Sequence, residues 1–196
     1  MSVSVKPMSE KPLPARERIL GAALRLFYKE GVRAVGVDRL IAESGVTKAT
    51  FYRHFPSKEE LVVAYVQSVD RDARNLIDSA RARLSAAAAI EEFFSGPGGL
   101  GDKLCRPGFR GCPFLNVAAE HPDPESPVSR AIRSHMDWLH DRLRALLQEA
   151  GHPAPGPAAD RLMLLRHGGM TQVQFMDPVH ARGVLESAVR EVLAQV

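Results

Sequence analysis

Apolar residues recur at intervals of three and four positions along most of the chain, which is the spacing of amphipathic helices. In the first such segment Ile19, Ala23 and Phe27 share one face, and Gly31 ends the helix. The sequence shows no alternation of apolar and polar residues of the kind that marks a half-buried strand. The pattern therefore predicts an all-α fold with about nine helices.

Two short helices are predicted next, at about 37–44 and 47–54, and a long helix begins at Ser57. Ser57 and Glu60 have the spacing of a capping box, in which the serine hydroxyl accepts a hydrogen bond from a backbone N–H of the first turn. One apolar stripe then continues for about 40 Å, at 1.5 Å per residue, along Leu61, Tyr65, Val69, Ala73, Ile77, Ala80 and Leu84.

The rest of the chain is divided by loops rich in glycine and proline, at 96–111, 121–127 and 151–157. Five helices are predicted around these loops, at about 86–95, from Cys112-Pro113 onward, and at about 128–150, 158–175 and 178–195.

Composition narrows the class of protein. The 196 residues are 45% apolar and 25% charged, as in a globular protein. No run of 18 apolar residues could cross a membrane, and the N-terminus lacks the apolar segment of a secretory signal, so we expect a cytoplasmic protein. Two cysteines make no disulfide framework, the seven histidines show no metal-binding spacing, and no cofactor is expected.

The distribution of charge is uneven. Residues 1–55 hold ten lysines and arginines against five acidic residues, whereas residues 56–196 hold sixteen against eighteen. A basic first quarter, with a balance of +5, and a remainder at −2 indicate that one end of the protein meets a polyanion. Chance clustering of surface charge is the alternative.

Residues 36–55 have the pattern of two short helices joined by a tight turn at Ser44, Gly45 and Val46. Thr47 is placed to cap the second helix, which offers hydroxyls, cations and polar aromatic side chains within two turns. A recognition helix needs this mixture because it must reach base edges and phosphates from the major groove. A surface hairpin without a ligand, the alternative, would not need a basic aromatic tip.

These features resemble the TetR family of bacterial transcriptional regulators. The matching residues stand in order at the family's spacing: Ile19-Leu20, Ala22-Ala23, Leu26-Phe27, Gly31, Leu40-Ile41-Ala42, Gly45-Val46, Phe51-Tyr52, His54-Phe55 and Ser57-Lys58-Glu59-x-Leu61. The resemblance implies a three-helix DNA-binding domain at 13–73 and a helical ligand-binding and dimerisation domain at 74–196. Such proteins are usually repressors that leave a palindromic operator when a small molecule binds. Residues 1–12, which contain prolines and lysines but few apolar residues, are predicted to form a flexible basic arm.

The resemblance also implies which side chains meet DNA: Thr47, Lys48, Thr50, Tyr52, His54 and Lys58. Arg53 is a further candidate because the same short helix carries this cation. Lys48, His54 and Lys58 are expected to contribute salt-dependent affinity, and Thr50 to lie nearer the base edges. Phe51 and Phe55 are expected to pack in the core of the small domain.

Two departures from the family pattern affect the DNA contacts. Val35 and Gly36 stand where the family commonly carries threonine or serine, whose hydroxyl caps the second helix and can meet a phosphate. Ala49 stands where glycine is frequent, which should stiffen the recognition helix slightly. Both changes concern operator recognition rather than the fold.

The last two helices are predicted to form a homodimer as a four-helix bundle. Their apolar residues recur at helical spacing, and Gly168-Gly169 would allow close approach of backbones: Leu162, Leu165, Gly169 and Val173 in one helix, and Val184, Leu185, Ala188, Val189, Val192 and Leu193 in the other. The alternative is that these stripes pack within one chain. A dimer would also place two recognition helices about 34 Å apart on a palindrome.

The middle helices are expected to hold the effector pocket. Large aromatic and methionine side chains there suit an apolar or planar ligand, and the candidates are Phe93, Phe109, Phe114, Met136, His140 and Met170. Packing of the same side chains into a core is the alternative.

Cys112 offers a second mode of regulation. It precedes a predicted helix whose exposed N–H groups would favour a thiolate, and Cys105 lies seven residues upstream in a glycine-rich loop. A redox- or electrophile-sensing regulator is therefore the alternative to a reversible ligand sensor. An enzyme with Cys112 as nucleophile would leave the helix–turn–helix unexplained, and a non-specific architectural DNA binder would not need so large an apolar C-terminal domain.

Overall fold

The structure, a computed structural model, describes residues 13–196 and contains no strand over that range. Its helices are α1 (Ala15–Glu30), α2 (Val37–Ser44), α3 (Lys48–His54), α4 (Lys58–Arg81), α5 (Ala86–Ser95), α6 (Leu100–Leu104), α7 (Pro113–Glu120), α8 (Pro127–Glu149), α9 (Pro155–Gln172) and α10 (Pro178–Leu193). The predicted all-α fold is confirmed. Ten helices lie in the described range because the predicted loop at 96–111 contains the short α6. The predicted arm at 1–12 lies outside the described residues.

The first three helices and the start of α4 enclose a small apolar core. Ile19, Leu40, Phe51 and Leu61 are fully buried in it, one from each of these helices. The ends of the helices follow local chemistry: Gly45 takes the left-handed conformation, with φ of 61°, that closes α2. The Ser57 hydroxyl accepts a hydrogen bond from the Glu60 nitrogen at 3.1 Å, which supplies the predicted N-terminal cap of α4.

Helix α4 connects this N-terminal core to the rest of the molecule. It runs without a break past residue 73, where we predict the domain boundary, and it packs against α1, α5, α7 and α8. Helix α9 packs on α8 and α10, and α10 also contacts α5 and α6. One contiguous apolar core therefore extends from α1 to α10.

The end of α7 is tied to the loop between α1 and α2. The carboxylate of Glu120 accepts hydrogen bonds from the backbone nitrogens of Val32 at 3.0 Å and Arg33 at 2.5 Å. Gly31 has φ of 90°, and a Cβ there would stand 2.8 Å from Glu120 Oε1. Gly31 therefore does more than end α1, because it leaves room for this carboxylate.

The structure corrects the residues predicted for the dimer face. Leu162, Leu185, Val189 and Val192 are buried inside the chain, so four of the ten predicted residues form intramolecular core. Gly169 serves the same packing, since a Cβ there would lie 3.3 Å from a Leu185 methyl. The apolar side chains most exposed on α9 and α10 include the predicted Val184, at 53% exposure, and Leu164, at 72% exposure, which was not predicted.

Within residues 13–196, no helix has both the length and the apolar character needed to cross a membrane.

Candidate nucleic-acid interface and ligand cavity

Helix α3 begins with a hydroxyl cap. Thr47 Oγ1 accepts a hydrogen bond from the Thr50 nitrogen at 3.2 Å and donates to Thr50 Oγ1 at 2.9 Å. The two threonines thus hold each other at the N-terminal end of α3, where backbone N–H groups point outward and favour an anion. This end of the helix can present hydroxyls to a phosphate or a base edge.

The outer face of α3 contains the side chains predicted to meet DNA. Thr47, Lys48, Tyr52 and Arg53 are exposed, while Thr50, His54 and Lys58 are half-buried. The opposite face is apolar. Phe51 and Phe55 are buried, as predicted, and the ring of Phe51 stands edge-on to Tyr52 with centroids 5.4 Å apart. Packing of Phe51 therefore fixes the direction in which Tyr52 points.

The cations of this face are available to a polyanion. Among the described residues, no carboxylate lies within 4.0 Å of the charged groups of Lys48, Arg53 or Lys58. Partial burial lowers the pKa of Lys58, and the nearby Glu120 carboxylate opposes that shift. Three basic side chains along α3 and at the start of α4 thus have no acidic partner in the described part of the chain.

Arg18 is a positioning residue that sequence reasoning missed. Its Nη1 donates to the carbonyl oxygens of Ser44 at 3.0 Å and Gly45 at 3.1 Å, so α1 holds the turn between α2 and α3. The only sequence signal is an arginine within the first amphipathic helix, which gives no hint of this contact.

A cavity of about 350 Å³ lies among the helices that follow the helix–turn–helix, with one lining residue, Tyr28, from α1. This volume falls within the range of small-molecule sites. Its walls come from α1, α4, α5, α6, α7, α9 and the loop between α6 and α7. Four of the six predicted pocket residues line it together, namely Phe93, Phe109, Phe114 and Met170.

The other two predicted pocket residues do not line this cavity. Met136 packs partly buried against the core from α8, and His140 lies on the outer side of α8, with Nε2 3.0 Å from Asp160 Oδ1. Met136 and His140 are one helical turn apart on α8, and no residue of α8 lines the cavity. Spacing along one helix does not specify which neighbour that face meets.

The lining residues that were not predicted include Tyr28 from α1, Lys103 from α6 and Arg166 from α9. Aromatic and methionine residues in a sequence indicate the apolar part of a pocket and do not indicate its charged side chains. Arg166 sits within an apolar helical pattern between Leu162 and Met170, and this break in the pattern is the signal that could have found it.

The sequence matches the model of the family "Bacterial regulatory proteins, tetR family" over residues 19–65. The fold matches the crystal structure of a TetR-family transcriptional regulator from Streptomyces coelicolor with a TM-score of 0.85 and 39% identity, covering 93% of this chain and 95% of that one.

The chain belongs to the TetR family.

Two curated relatives are similar over shorter stretches. The HTH-type transcriptional regulator LmrA of Bacillus subtilis is 32% identical over 128 residues, which is 63% of this chain and 66% of that protein. The HTH-type transcriptional activator FasR of Mycolicibacterium smegmatis is 37% identical over 93 residues, 42% of this chain and 41% of that protein. These alignments therefore span about two thirds or less of the curated relatives.

Membership in the TetR family means that the chain is a DNA-binding transcriptional regulator and not an enzyme. Over the described range, no three His, Cys, Asp or Glu residues are grouped as a metal site would require.

Tyr28 connects the cavity of this TetR-family protein to its DNA-binding helices. Its hydroxyl accepts a hydrogen bond from the Arg110 nitrogen at 2.8 Å and donates to the Gly111 oxygen at 3.2 Å. Burial raises the pKa of Tyr28, so the hydroxyl keeps the proton that it donates. Arg110 Nη1 also donates to the Lys29 carbonyl oxygen at the end of α1. The cavity loop and α1 are thus joined directly.

The two cysteines have different surroundings. Cys105 is exposed at the end of α6, whereas Cys112 is buried, with 2% of its surface exposed. The Cys112 sulfur lies 3.9 Å from Arg166 Nη1. Cys112 stands directly before α7, as predicted, and the packing of the loop between α6 and α7 against α9 covers its sulfur.

A buried histidine supports one wall of the cavity. The ring of His135 stacks on Phe114 with centroids 3.7 Å apart, and its Nδ1 lies 2.7 Å from Asp70 Oδ1. Burial lowers the pKa of His135 to about 4, although the hydrogen bond to Asp70 opposes the shift. Near neutral pH the ring is uncharged, and Nδ1 carries the proton donated to Asp70.

Proposed function

We propose that this TetR-family regulator is a repressor that binds a palindromic operator as a homodimer and leaves it when a small apolar or aromatic ligand fills the cavity. The observation that carries the proposal is the composition of the cavity wall. Tyr28 of α1 and Val69, Ala73 and Leu76 of α4 line it, and both helices also build the core under α3. A ligand there would touch the two elements that hold the reading helix.

The DNA-binding part of the proposal rests on the outer face of α3. Its hydroxyls, cations and tyrosine form a surface that can enter a major groove. Thr50 stands near the N-terminal end of α3, where base edges are commonly read, and in this proposal Arg53 and Lys58 contact phosphates.

The dimer is proposed on the outward face of α9 and α10. Leu164, Leu165, Gly168 and Val184 line a shallow apolar groove there. Gly168 has open space where a Cβ would stand, so a second backbone can approach it closely. A second copy is the occupant we propose because reading a palindrome requires two recognition helices related by a twofold axis.

The proposed switch is a change in the spacing of the two recognition helices. Helix α4 is about 36 Å long at 1.5 Å for each of its 24 residues. A small rotation of α4 at the cavity would therefore displace its N-terminal end, and with it α3, so that the two copies no longer fit successive grooves. This loss of fit would release the repressor from its operator. The relative FasR is by name an activator, so the direction of regulation needs its own test.

The test uses the full chain and an operator selected from a random-sequence library. Filling the cavity by Ala73→Trp should lower operator affinity at least about tenfold, within the usual range of allosteric coupling, and Ala194→Trp at the exposed C-terminus should leave it unchanged. A reporter behind the operator should be silenced by the wild-type protein. Activation of the reporter would overturn the repressor proposal, and equal affinities for the two tryptophan variants would overturn the cavity switch.

Thr50 provides the test of operator reading. Thr50→Val removes a hydroxyl but keeps the shape of the side chain, so it should relax preference at particular base pairs without a general loss of affinity. An unchanged sequence preference in a repeated selection would show that Thr50 does not read bases.

A thiol-switched regulator is the second candidate, favoured by the exposure of Cys105. Cys112 could take part only if the loop between α6 and α7 moves, because its sulfur is covered. The candidate predicts that oxidants release the operator from the wild-type protein but not from Cys105→Ser. Release that persists in Cys105→Ser and in Cys112→Ser would exclude it.

A further inference from the structure

Arg166 places a buried positive charge in the cavity wall. Only 4% of its surface is exposed, and it lines the cavity together with Phe114 and Met170. Within residues 13–196, no carboxylate oxygen lies within 4.0 Å of its guanidinium, and its hydrogen bond is a long one to the Cys112 sulfur at 3.9 Å. The charge has no anionic partner in the described structure.

Packing does not account for this arginine. Burying a cation without a counter-charge costs several kcal/mol, and a leucine or methionine would fill the same place in α9 without that cost. A buried guanidinium facing a cavity is, by contrast, the group best suited to bind a carboxylate, because its planar fork can donate two parallel hydrogen bonds.

A second cation faces the same space. Lys103 of α6 is half-buried in the cavity wall, and burial together with the charges of Arg166 and Arg106 lowers its pKa. Arg106 is offset by an ion pair with Asp102 at 2.7 Å. Asp72, the lining carboxylate, is exposed and forms no salt bridge with Lys103 within 4.0 Å. The inner part of the cavity is therefore positive.

Apolar and aromatic side chains form the remaining walls. Phe93 of α5, Phe109 of the loop and Leu76 of α4 surround the space from three sides. A ligand that satisfies the whole site must bury a hydrophobic body and bring one negative group to Arg166. A neutral apolar ligand would leave Arg166 uncompensated, and a small inorganic anion would leave the aromatic walls unfilled.

We infer that the effector is an organic acid, an apolar ring or chain that carries one acidic group, and that Arg166 binds the acidic group with Lys103 beside it. The inference rests on the proposed function, because it names the chemical class of ligand for the proposed effector cavity.

The test compares two fluorescent probes with the same ring system. 8-Anilinonaphthalene-1-sulfonate carries an anion, and N-phenyl-1-naphthylamine has no charge. We expect the wild-type protein to bind the sulfonate at least about tenfold more tightly than the amine, the value of a charged hydrogen bond. Ala73→Trp, which fills the cavity, should abolish binding of both probes.

Substitutions of Arg166 and Lys103 test whether these two cations cause the preference for the sulfonate over the amine. Arg166→Met should weaken sulfonate binding at least about tenfold while the affinity for the amine stays within about twofold. Lys103→Met should act in the same direction with a smaller effect, and it keeps the test decisive if Arg166→Met fails to fold. Arg190→Met, at an exposed position on α10, is the matched control and should change neither affinity.

Three results would overturn the inference: equal binding of the two probes, sulfonate binding that survives Ala73→Trp, or sulfonate binding unaffected by both Arg166→Met and Lys103→Met. Titration of the operator with the protein distinguishes failure of this inference from failure of the proposed function. If organic acids bind through Arg166 but Ala73→Trp does not weaken operator binding, the ligand class stands and the switch fails. If neutral apolar compounds release the operator and acids do not, the switch stands and the inference fails.

Discussion

The hydroxyl of Tyr28 lies 2.8 Å from the backbone nitrogen of Arg110, a hydrogen bond that joins the end of α1 to the loop that borders the cavity. The same tyrosine faces the cavity and belongs to the helix that, through Arg18, holds the turn before α3. A ligand that moves the loop can therefore change the position of α1 without first moving α4. Two connections, through Tyr28 and through α4, run from the cavity to the reading helix.

Tyr28→Phe tests the first connection. It removes both hydrogen bonds to the loop while keeping the ring, so we expect the unfolding free energy to fall by about 1–2 kcal/mol. The fold-change in operator affinity caused by Ala73→Trp should also shrink, by about fivefold, because coupling is lost. Fluorescence anisotropy with labelled operator measures these affinities. Tyr65→Phe, another buried tyrosine, is the matched control. An undiminished effect of Ala73→Trp would assign the coupling to α4 alone.

Arg53→Ala tests the phosphate contacts of α3. Because Arg53 is exposed and pairs with no carboxylate of the described chain, its removal should weaken binding on all DNA sequences alike. One lost phosphate contact lowers the salt slope of log affinity by about one unit. Titrations at several salt concentrations measure that slope, with Arg190→Ala as the control. A change in sequence preference at one base pair would instead show that Arg53 reads a base.

Leu164→Glu tests the proposed dimer face. A charge at this exposed position in the groove should raise the dimer dissociation constant by about 30-fold or more, the effect expected at the centre of an interface. The chain itself should stay folded because Leu164 contributes little to its core. Sedimentation equilibrium measures the mass. Leu115→Glu, the same change at a half-exposed position on α7, should leave the dimer intact. Dissociation by Leu115→Glu alone would relocate the interface.

His135 makes stability depend on pH. Its pKa is about 4 in the folded protein and about 6.5 when unfolded, so the unfolded chain takes up the proton first as the pH falls. Stability is fully present above pH 6.5 and should decline by about 3 kcal/mol by pH 4, at about 1.4 kcal/mol per pKa unit. Denaturant unfolding at a series of pH values measures it.

The control for this pH dependence is His135→Gln. The amide can still donate to Asp70 but does not titrate, so the difference between the two proteins isolates His135 from the other groups. His167, whose pKa burial also lowers, contributes equally to both. Parallel curves for the wild type and His135→Gln between pH 6.5 and 4 would show that His135 is charged in the folded state.

Gly36→Ser tests the effect of glycine at the start of α2, where the family commonly carries threonine or serine. Gly36 caps this helix in an extended conformation without a side-chain hydrogen bond, and a Cβ there would meet no atom within 4 Å. Serine should therefore raise the unfolding free energy by about 0.5–1 kcal/mol, from the cap and from the lower entropy of the unfolded chain. Thermal unfolding measures the gain. A loss of stability would mean that the backbone needs glycine.

Val35, the other departure from the family's threonine or serine, has a packing role. Val35 precedes the cap, and Leu40 is the fourth residue of α2, the two positions that form a hydrophobic staple. Both are fully buried. A family hydroxyl at position 35 is thus replaced by an apolar side chain that fixes the entry of the chain into α2.

The sequence by itself determined nine of the ten described helices, all except the short α6, and the side of α3 that faces outward. Their signals are local: helical periodicity, Gly31 and Gly45 at helix ends, and Thr47 and Ser57 as caps all act within a turn or two of the residue concerned. The outward side chains of α3 follow equally, since burying Phe51 and Phe55 leaves its other face exposed.

Only the tertiary structure decided what each apolar helix packs against. Periodicity marks a buried side of α8 and α9, but contacts between residues far apart in sequence determine which neighbour covers it. For this reason Met136 and His140 turn away from the cavity, Leu162 and Val189 become core, and Cys112 is covered. Arg166 shows the same limit. Its role depends on Lys103 and Phe114, which the fold brings to the same cavity wall. Electrostatic and packing energies depend on distances, and the order of residues does not contain these distances.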